Sequence, residues 1–349
     1  MKKIYRLISA ALSLALMISL TFAGSPVAQA DTFFEEGDFR FAVTSGDVLM
    51  LAGYSGAEAA VTLPGSVNGR AIAGVYKSCF ENATVTSVAI PEGYTSIGAF
   101  AFSGCEQLTE ISLPPSLETI GLMAFYGCSA LSDIDLSVST DLRTIGMSAF
   151  SGCSSLTDVN LPDELTAIGE SAFSDCTQLA SVHLPDALTD IGDYAFYGDT
   201  SLAAIDFPLT LSSIGESAFE NDTALGGVFL PDSVSSIGDN AFAPMVTDAA
   251  FAVQCFEDTA AAEYFTALET GNLSVYQKLT GDVNLDGTLT VVDVTLIQKY
   301  IADLEPLDHA ALRDLADIDQ NGEINIADAT AGQRKIAGYE DDTNPMNGE

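Results

Sequence analysis

Two acidic runs toward the end of the chain carry the residue types most suited to chemistry. The first reads Asp282-Val283-Asn284-Leu285-Asp286-Gly287-Thr288-Leu289-Thr290-Val291-Val292-Asp293, and the second Asp317-Ile318-Asp319-Gln320-Asn321-Gly322-Glu323-Ile324-Asn325-Ile326-Ala327-Asp328. Side-chain oxygens recur at positions 1, 3, 5, 9 and 12: Asp282, Asn284, Asp286, Thr290 and Asp293, then Asp317, Asp319, Asn321, Asn325 and Asp328. Position 7 (Thr288, Glu323) offers a backbone carbonyl, and Gly287 and Gly322 stand at position 6, where the chain must bend sharply. A hard cation that takes about six to eight oxygens fits such a wrap, so two calcium sites are expected. Solvated acidic turns are the plainer reading. Two complete loops starting 35 residues apart, at Asp282 and Asp317, argue against coincidence. Three carboxylates in each loop repel one another without an ion, which makes ion binding part of the folding free energy.

The elements around these loops narrow the reading. An amphipathic helix follows each one, marked by Val294, Ile297, Ile301 and Leu304 in the first copy and by Ile336 and Tyr339 in the second. A shorter helix around Ala310-Ala311-Leu312-Arg313 joins the two halves. Position 12 holds Asp where an EF-hand has Glu, and Lys278-Leu279-Thr280 leaves no room for an entering helix. Loop-helix, linker, loop-helix over residues 281 to 339 resembles a type I dockerin. The resemblance implies calcium-dependent docking onto a cohesin module of a cellulosome scaffoldin, hence a place in polysaccharide catabolism. It also assigns partner choice to loop positions 10 and 11 and helix positions 17 and 18. These are Val291, Val292, Gln298 and Lys299 in the first copy and Ile326, Ala327, Gln333 and Arg334 in the second. The Ser-Thr pair familiar at positions 10 and 11 is missing, which implies a more apolar cohesin partner. Similar residues at 17 and 18 in both copies allow two docking orientations related by a half-turn.

The middle of the chain repeats with another period. Ile-Gly-x-x-Ala-Phe recurs with Ile at 97, 120, 145, 168, 191, 214 and 237, a step of 23 residues except for one of 25. A string L-x-x-I-x-L-P precedes it, as in Leu108/Ile111/Leu113/Pro114 and Leu156/Val159/Leu161/Pro162; a weaker first copy holds Val75 and Phe80. The period-two alternation marks a short strand buried on one face, and the Pro ends it. The Gly suggests a tight bend, and Ala-Phe sends a ring inward on a short helical turn. One rung cannot bury its own strand and Phe, but stacked rungs can. The expectation is a right-handed solenoid with a shared core from Phe102 to Phe242. These residues resemble the bacterial-surface-antigen (BspA-like) leucine-rich repeats, although Pro occupies the slot where other leucine-rich repeats carry an Asn or Cys ladder. The expected fold class is therefore an α/β repeat solenoid joined to a small all-α dockerin. Residues 38 to 51 read as a capping hairpin, and Thr259 to Phe265 as a capping helix.

On the repeat strands, the outward positions are Ser112, Asp135, Asn160, His183, Asp206 and Phe229, with Glu110, Asp133 and Asp158 two residues before Ser112, Asp135 and Asn160 and pointing the same way. This strip is either a solvated face or a recognition surface for a basic protein partner; His183 reads as a surface histidine. Cys105, Cys128, Cys153 and Cys176 share one repeat slot, which Asp199 and Asp222 fill in the next two rungs, so buried thiols are expected rather than disulfides. Cys79 and Cys255 stand outside that ladder.

A net charge of −37 argues against nucleic acid and anionic membrane as partners, since phosphate binding draws on clustered Lys and Arg. Lys2, Lys3 and Arg6, the apolar run from Leu7 to Leu20 and Ala28-Gln29-Ala30 have the order of a secretory signal peptide, with a membrane anchor as the rival reading. The expected product is extracellular, associated with the cell surface through the scaffold, and without a membrane span after cleavage. The division expected is 1–30 signal peptide, 31–60 cap, 61–245 repeats, 246–280 cap and linker, 281–340 dockerin and 341–349 acidic tail. With two histidines, His183 and His309, in different modules, nucleophilic triads have little to draw on. No Trp is present to build a sugar platform. A non-catalytic binding subunit is expected, with a carbohydrate-adhesion subunit or a cryptic glycoside hydrolase as alternatives.

Overall fold

The structure, a computed structural model, describes residues 31–247, 250–270, 272–304, 306–307 and 309–338. The expected signal peptide, the acidic tail and Tyr339 lie outside these residues. Each rung adds a two-residue strand to one sheet of eleven strands. Gly74–Val75, Ser96–Ile97, Thr119–Ile120, Thr144–Ile145, Ala167–Ile168, Asp190–Ile191, Ser213–Ile214 and Ser236–Ile237 pair in parallel and in register. In each pair from Ile97 to Ile214, the Ile is buried and the residue before it faces outward.

This differs from the sequence expectation in one respect. The L-x-x-I-x-L strings do form strands, but these make only short three-stranded sheets, such as Ile134–Asp135 with Asp158–Asn160 and Ser181–His183. The continuous ladder runs through the residues just before the Gly, where a strand two residues long shows no alternation to read.

The Gly has another task as well. Its φ is not positive; the left-handed residue comes two positions later, at Phe100, Met123, Ser148, Ser171, Tyr194, Ser217 and Asn240. What requires Gly is close approach between rungs. A Cβ on Gly192 would lie 2.8 Å from the backbone N of Glu170 and 2.9 Å from the carbonyl carbon of Gly169. Gly192→Ala is therefore expected to cost about 1–3 kcal/mol, as overpacking does. Gly226→Ala, where nothing lies within 4 Å of the added carbon, should stay near wild type. Denaturant midpoints of the two variants check this; equal midpoints would remove the close-approach argument.

The Phe column forms the expected core. From Phe80 through Phe102, Phe125, Phe150, Phe173, Phe196 and Phe219 to Phe242, successive rings stack with centroids 5.0 to 5.5 Å apart and planes within 10°. That spacing follows the strand ladder, whose neighbours sit about 4.8 Å apart. Beside it runs the thiol column. Cys105, Cys128, Cys153 and Cys176 are fully buried and free, and each Sγ donates to the carbonyl of Phe80, Phe102, Phe125 or Phe150 respectively. Burial pushes the Cys153 thiol up to about 12, so it stays protonated and unreactive.

Both ends are closed. Thr32–Glu36, Phe39–Val43 and Leu49–Tyr54 form an antiparallel meander, and its last strand pairs with the first rung. The expected hairpin is present; the strand before it went unread because TFFEE shows no clear alternation. At the other end, α1 (Ala260–Ala267) starts at Thr259, whose Oγ1 accepts from Ala262 N, and sets Phe265 against Phe242.

Candidate calcium loops and docking helices

Three helices follow the solenoid: α2 (Val291–Ile301), α3 (Ala310–Ala316) and α4 (Ile326–Ile336). Each acidic loop runs directly into a helix and shares its last residues with the cap. Thr290 and Asn325 are N-caps, and Asp293 and Asp328 occupy the N3 position of complete capping boxes. The position-12 carboxylate folds back so that Oδ2 accepts from Thr290 N in the first loop and from Asn325 N in the second, both at 2.8 Å. A short side chain suffices here, which accounts for Asp rather than Glu.

The two loops repeat one hydrogen-bond pattern. Asp282 Oδ2 accepts from Gly287 N and Asp317 Oδ2 from Gly322 N, each at 2.8 Å. Asp293 Oδ1 accepts from Asn284 N and Asp328 Oδ1 from Asp319 N, each at 3.2 Å. Asp286 Oδ1 accepts from Thr288 N, and Asn321 Oδ1 from Glu323 N. The bends fall at Gly287 and Gly322, with φ of +83° and +88°. Asp282, Asp293 and Asp328 are at most 1% exposed. Burial raises the Asp282 carboxyl above the usual range, against the pull of the Gly287 and Asp286 N–H donors.

This donor set fits a hard divalent cation. In the second loop, one oxygen from each of Asp317, Asp319 and Asp328 lies within 4.8 Å of the others. No Lys or Arg pairs with these carboxylates among the described ion pairs, and buried like charges without a counter-charge are costly. Positions 3 and 5 exchange Asp and Asn between the loops, so each keeps three carboxylates.

The positions assigned to cohesin contact share one character. Val291, Val292 and Ile326 are 67%, 53% and 64% exposed, unusual for large apolar side chains at helix starts. Ala327, Gln298, Gln333 and Arg334 are exposed too, and Lys299 is half-exposed. The helices α2 and α4 pack on each other through Val294, Ile297 and Ala329 and keep these residues outward.

On the repeat strip, Glu110, Ser112, Asp133, Asp135, Asp158, Asn160 and His183 are exposed, as expected. The last two positions differ. Asp206 is half-buried, and Phe229 is 2% exposed. The cause is α3, which lies across this end of the strip: Arg313 Nη2 and Ala310 N donate to Asp206, and the His309 ring stacks on Phe229 at 5.1 Å. Burial alone would raise the Asp206 carboxyl; contacts with His309, Ala310 and Arg313 outweigh it and hold the group below the usual carboxylate range. The contact is not legible in the sequence, since it joins Asp206 to residues more than a hundred positions away; an aromatic, Phe229, at an outward position of an acidic strip is the one hint of it.

Comparison with known proteins agrees with this architecture. Residues 74–159 and 135–247 match the family described as BspA type Leucine rich repeat region, in six copies. Residues 280–337 match the Dockerin type I domain. No curated protein matches the chain. Among solved structures, a leucine-rich repeat protein of T. pallidum is 27% identical, covering 58% of this chain and 83% of its own, with a TM-score of 0.44. One from Bacteroides ovatus is 23% identical, covering 72% and 67%, with a TM-score of 0.46. Neither matched region is a catalytic domain, and type I dockerins bind calcium and dock onto cohesins. Among the described residues, no helix is long and apolar enough to cross a membrane.

Proposed function

From a chain that joins a BspA type leucine-rich repeat region to a C-terminal type I dockerin domain, we infer a secreted, non-catalytic subunit of a cellulosome-type complex. The observation that carries this reading is the pair of matched loop-helix units. Each buries its position-12 carboxylate and leaves an apolar helix start in solvent. Calcium, when bound, would supply the positive charge that the buried carboxylates lack, held by Asp282, Asn284, Asp286, Thr288, Thr290 and Asp293 in one loop and by Asp317, Asp319, Asn321, Glu323, Asn325 and Asp328 in the other. The residues themselves set the direction of α2 and α4 through the capping boxes. They thereby present Val291, Val292, Gln298 and Lys299, or Ile326, Ala327, Gln333 and Arg334, to a cohesin of a scaffoldin. The open strip from Glu110 to His183 is left to a protein or cell-surface partner, and its acidic side chains favour a basic one.

The full chain, presented with a panel of cohesins in calcium, should be captured by one with an apolar face. Because both helix starts are equivalent, Val291→Asp or Ile326→Asp alone should leave capture within about tenfold of wild type. The double variant should lose it by about a hundredfold or more, a penalty of about 2.7 kcal/mol. Capture by no cohesin in the panel, or capture unchanged in the double variant, would remove this reading.

A further inference from the structure

The cluster that seals the dockerin is not the dockerin's alone. Phe229 and Phe256 of the solenoid share one buried apolar cluster with Val283 and Ile318, the position-two residues of the two acidic loops, and with Leu315 of α3. Ala316 ends α3 immediately before Asp317, the first ligand position of the second loop. Gly281 N, just before the first loop, donates to Leu315 O at 2.8 Å. The helix on the solenoid is thus fastened at its end to both loops. Around this core lies a polar rim. Arg313 reaches Asp206, and Lys278 Nζ sits 2.9 Å from Asp232 of the last rung and 3.0 Å from Asp314 of α3.

We propose that the end of the repeat strip is a receptor for the chain's own calcium-loaded dockerin, so that ion uptake by the loops and closure of this clamp form one linked equilibrium. The proposal rests on the calcium reading above. Its physical basis is the double duty of Val283 and Ile318. Their backbones belong to loops that take a fixed course when the carboxylates are gathered around an ion, and their side chains fill the space against the solenoid aromatics. Loops opened by carboxylate repulsion withdraw both side chains and loosen α3. Linkage makes the effect reciprocal: the factor by which bound ion favours the closed clamp is the factor by which the closed clamp raises ion affinity, so a weakened clamp lowers that affinity by up to this factor. The solenoid then serves as more than cargo, because it raises the ion affinity of the module it carries and holds that module at a fixed angle to the open strip.

The test is calcium titration of the full chain by calorimetry, with Asp206→Arg, Arg313→Asp and the double exchange. Asp206 is partly exposed and belongs to no loop ligand set, so the solenoid should keep its melting temperature. Simple electrostatics predicts opposite effects for the singles: added positive charge weakens cation binding, and added negative charge strengthens it. The clamp predicts that both singles weaken calcium binding by about fivefold or more, within the usual range of coupling. The exchange, which restores the pair, should return toward wild type. Small-angle scattering in calcium should show a longer maximum dimension for the singles alone. Opposite signs, or three affinities equal to wild type, overturn the clamp while leaving the calcium reading in place. A wild-type chain that takes up no calcium overturns both.

Discussion

In chelator, the far-ultraviolet helix signal of residues 280–337 is expected to collapse and cohesin capture to vanish, while the strand signal of the solenoid persists. The magnitude decides this. At calcium a hundredfold above its Kd, each site adds about 2.7 kcal/mol, and two sites add about 5 kcal/mol. That is comparable to the whole stability of a small domain, and a module confined to residues 280–337 has little core of its own. Removing the ion leaves Asp282, Asp293 and Asp328 buried with only N–H donors and the Thr290 hydroxyl for company. Asp317→Ala should reproduce much of the loss even in calcium, because it deletes a position-1 ligand together with the partner of Gly322 N. Restored calcium should return helicity and capture together in the wild type. Unchanged helicity and capture in chelator would mean that these loops fold without an ion.

The second large effect is expected inside the solenoid. In the slot that holds Cys in four rungs, Asp199 and Asp222 are completely buried. Each uses Oδ1 to accept a backbone N–H, from Cys176 and Asp199 respectively, and each keeps Oδ2 buried without a partner. Burial pushes the Asp222 carboxyl up to about 9; burial and then the neighbouring Asp222 push Asp199 well above its ordinary value. Asp222 is therefore a neutral acid in the folded chain at pH 7, and Asp199 is displaced in the same direction. An unfolded Asp loses its proton near pH 4. From there up to about 9 the folded chain keeps the Asp222 proton that the unfolded chain has released, and Asp199 acts in the same sense, so this contribution to stability falls as pH rises. The slope is about 1.4 kcal/mol per pH unit for each acid. Asp199→Asn with Asp222→Asn keeps the shape and removes the titration, so the double variant should be more stable at pH 7 by several kcal/mol, with a flatter profile between pH 5 and 8. Denaturant midpoints across that range would show it. A profile as steep as wild type would mean that these acids are ionised in the fold.

How much of this was legible beforehand depended on repetition. The Phe column and the twin loops recur often enough for spacing alone to reveal them, and both appear where the periods place them. The continuous ladder was harder, because its strands are two residues long and its Gly serves the neighbouring rung rather than its own bend. Asp199 and Asp222 looked like casual replacements of Cys, since one sequence slot does not reveal that its floor is sealed. The α3 contact was the least readable: Arg313 and Asp206 stand in different modules with different periods, and only the fold brings them together.

The ring-on-ring column has a further implication for how such chains lengthen. Every internal rung meets its neighbours through the same Phe contact and the same Gly-to-backbone approach, so a copy inserted between two of them finds surfaces that already fit. The seat for α3, by contrast, is unique to the rungs carrying Asp206, Phe229 and Asp232. Duplication upstream of Asp206 would extend the exposed strip one rung at a time and leave the tail mounting untouched, whereas gain or loss at the last rungs would unseat it. Growth is open at one end of the array and barred at the other.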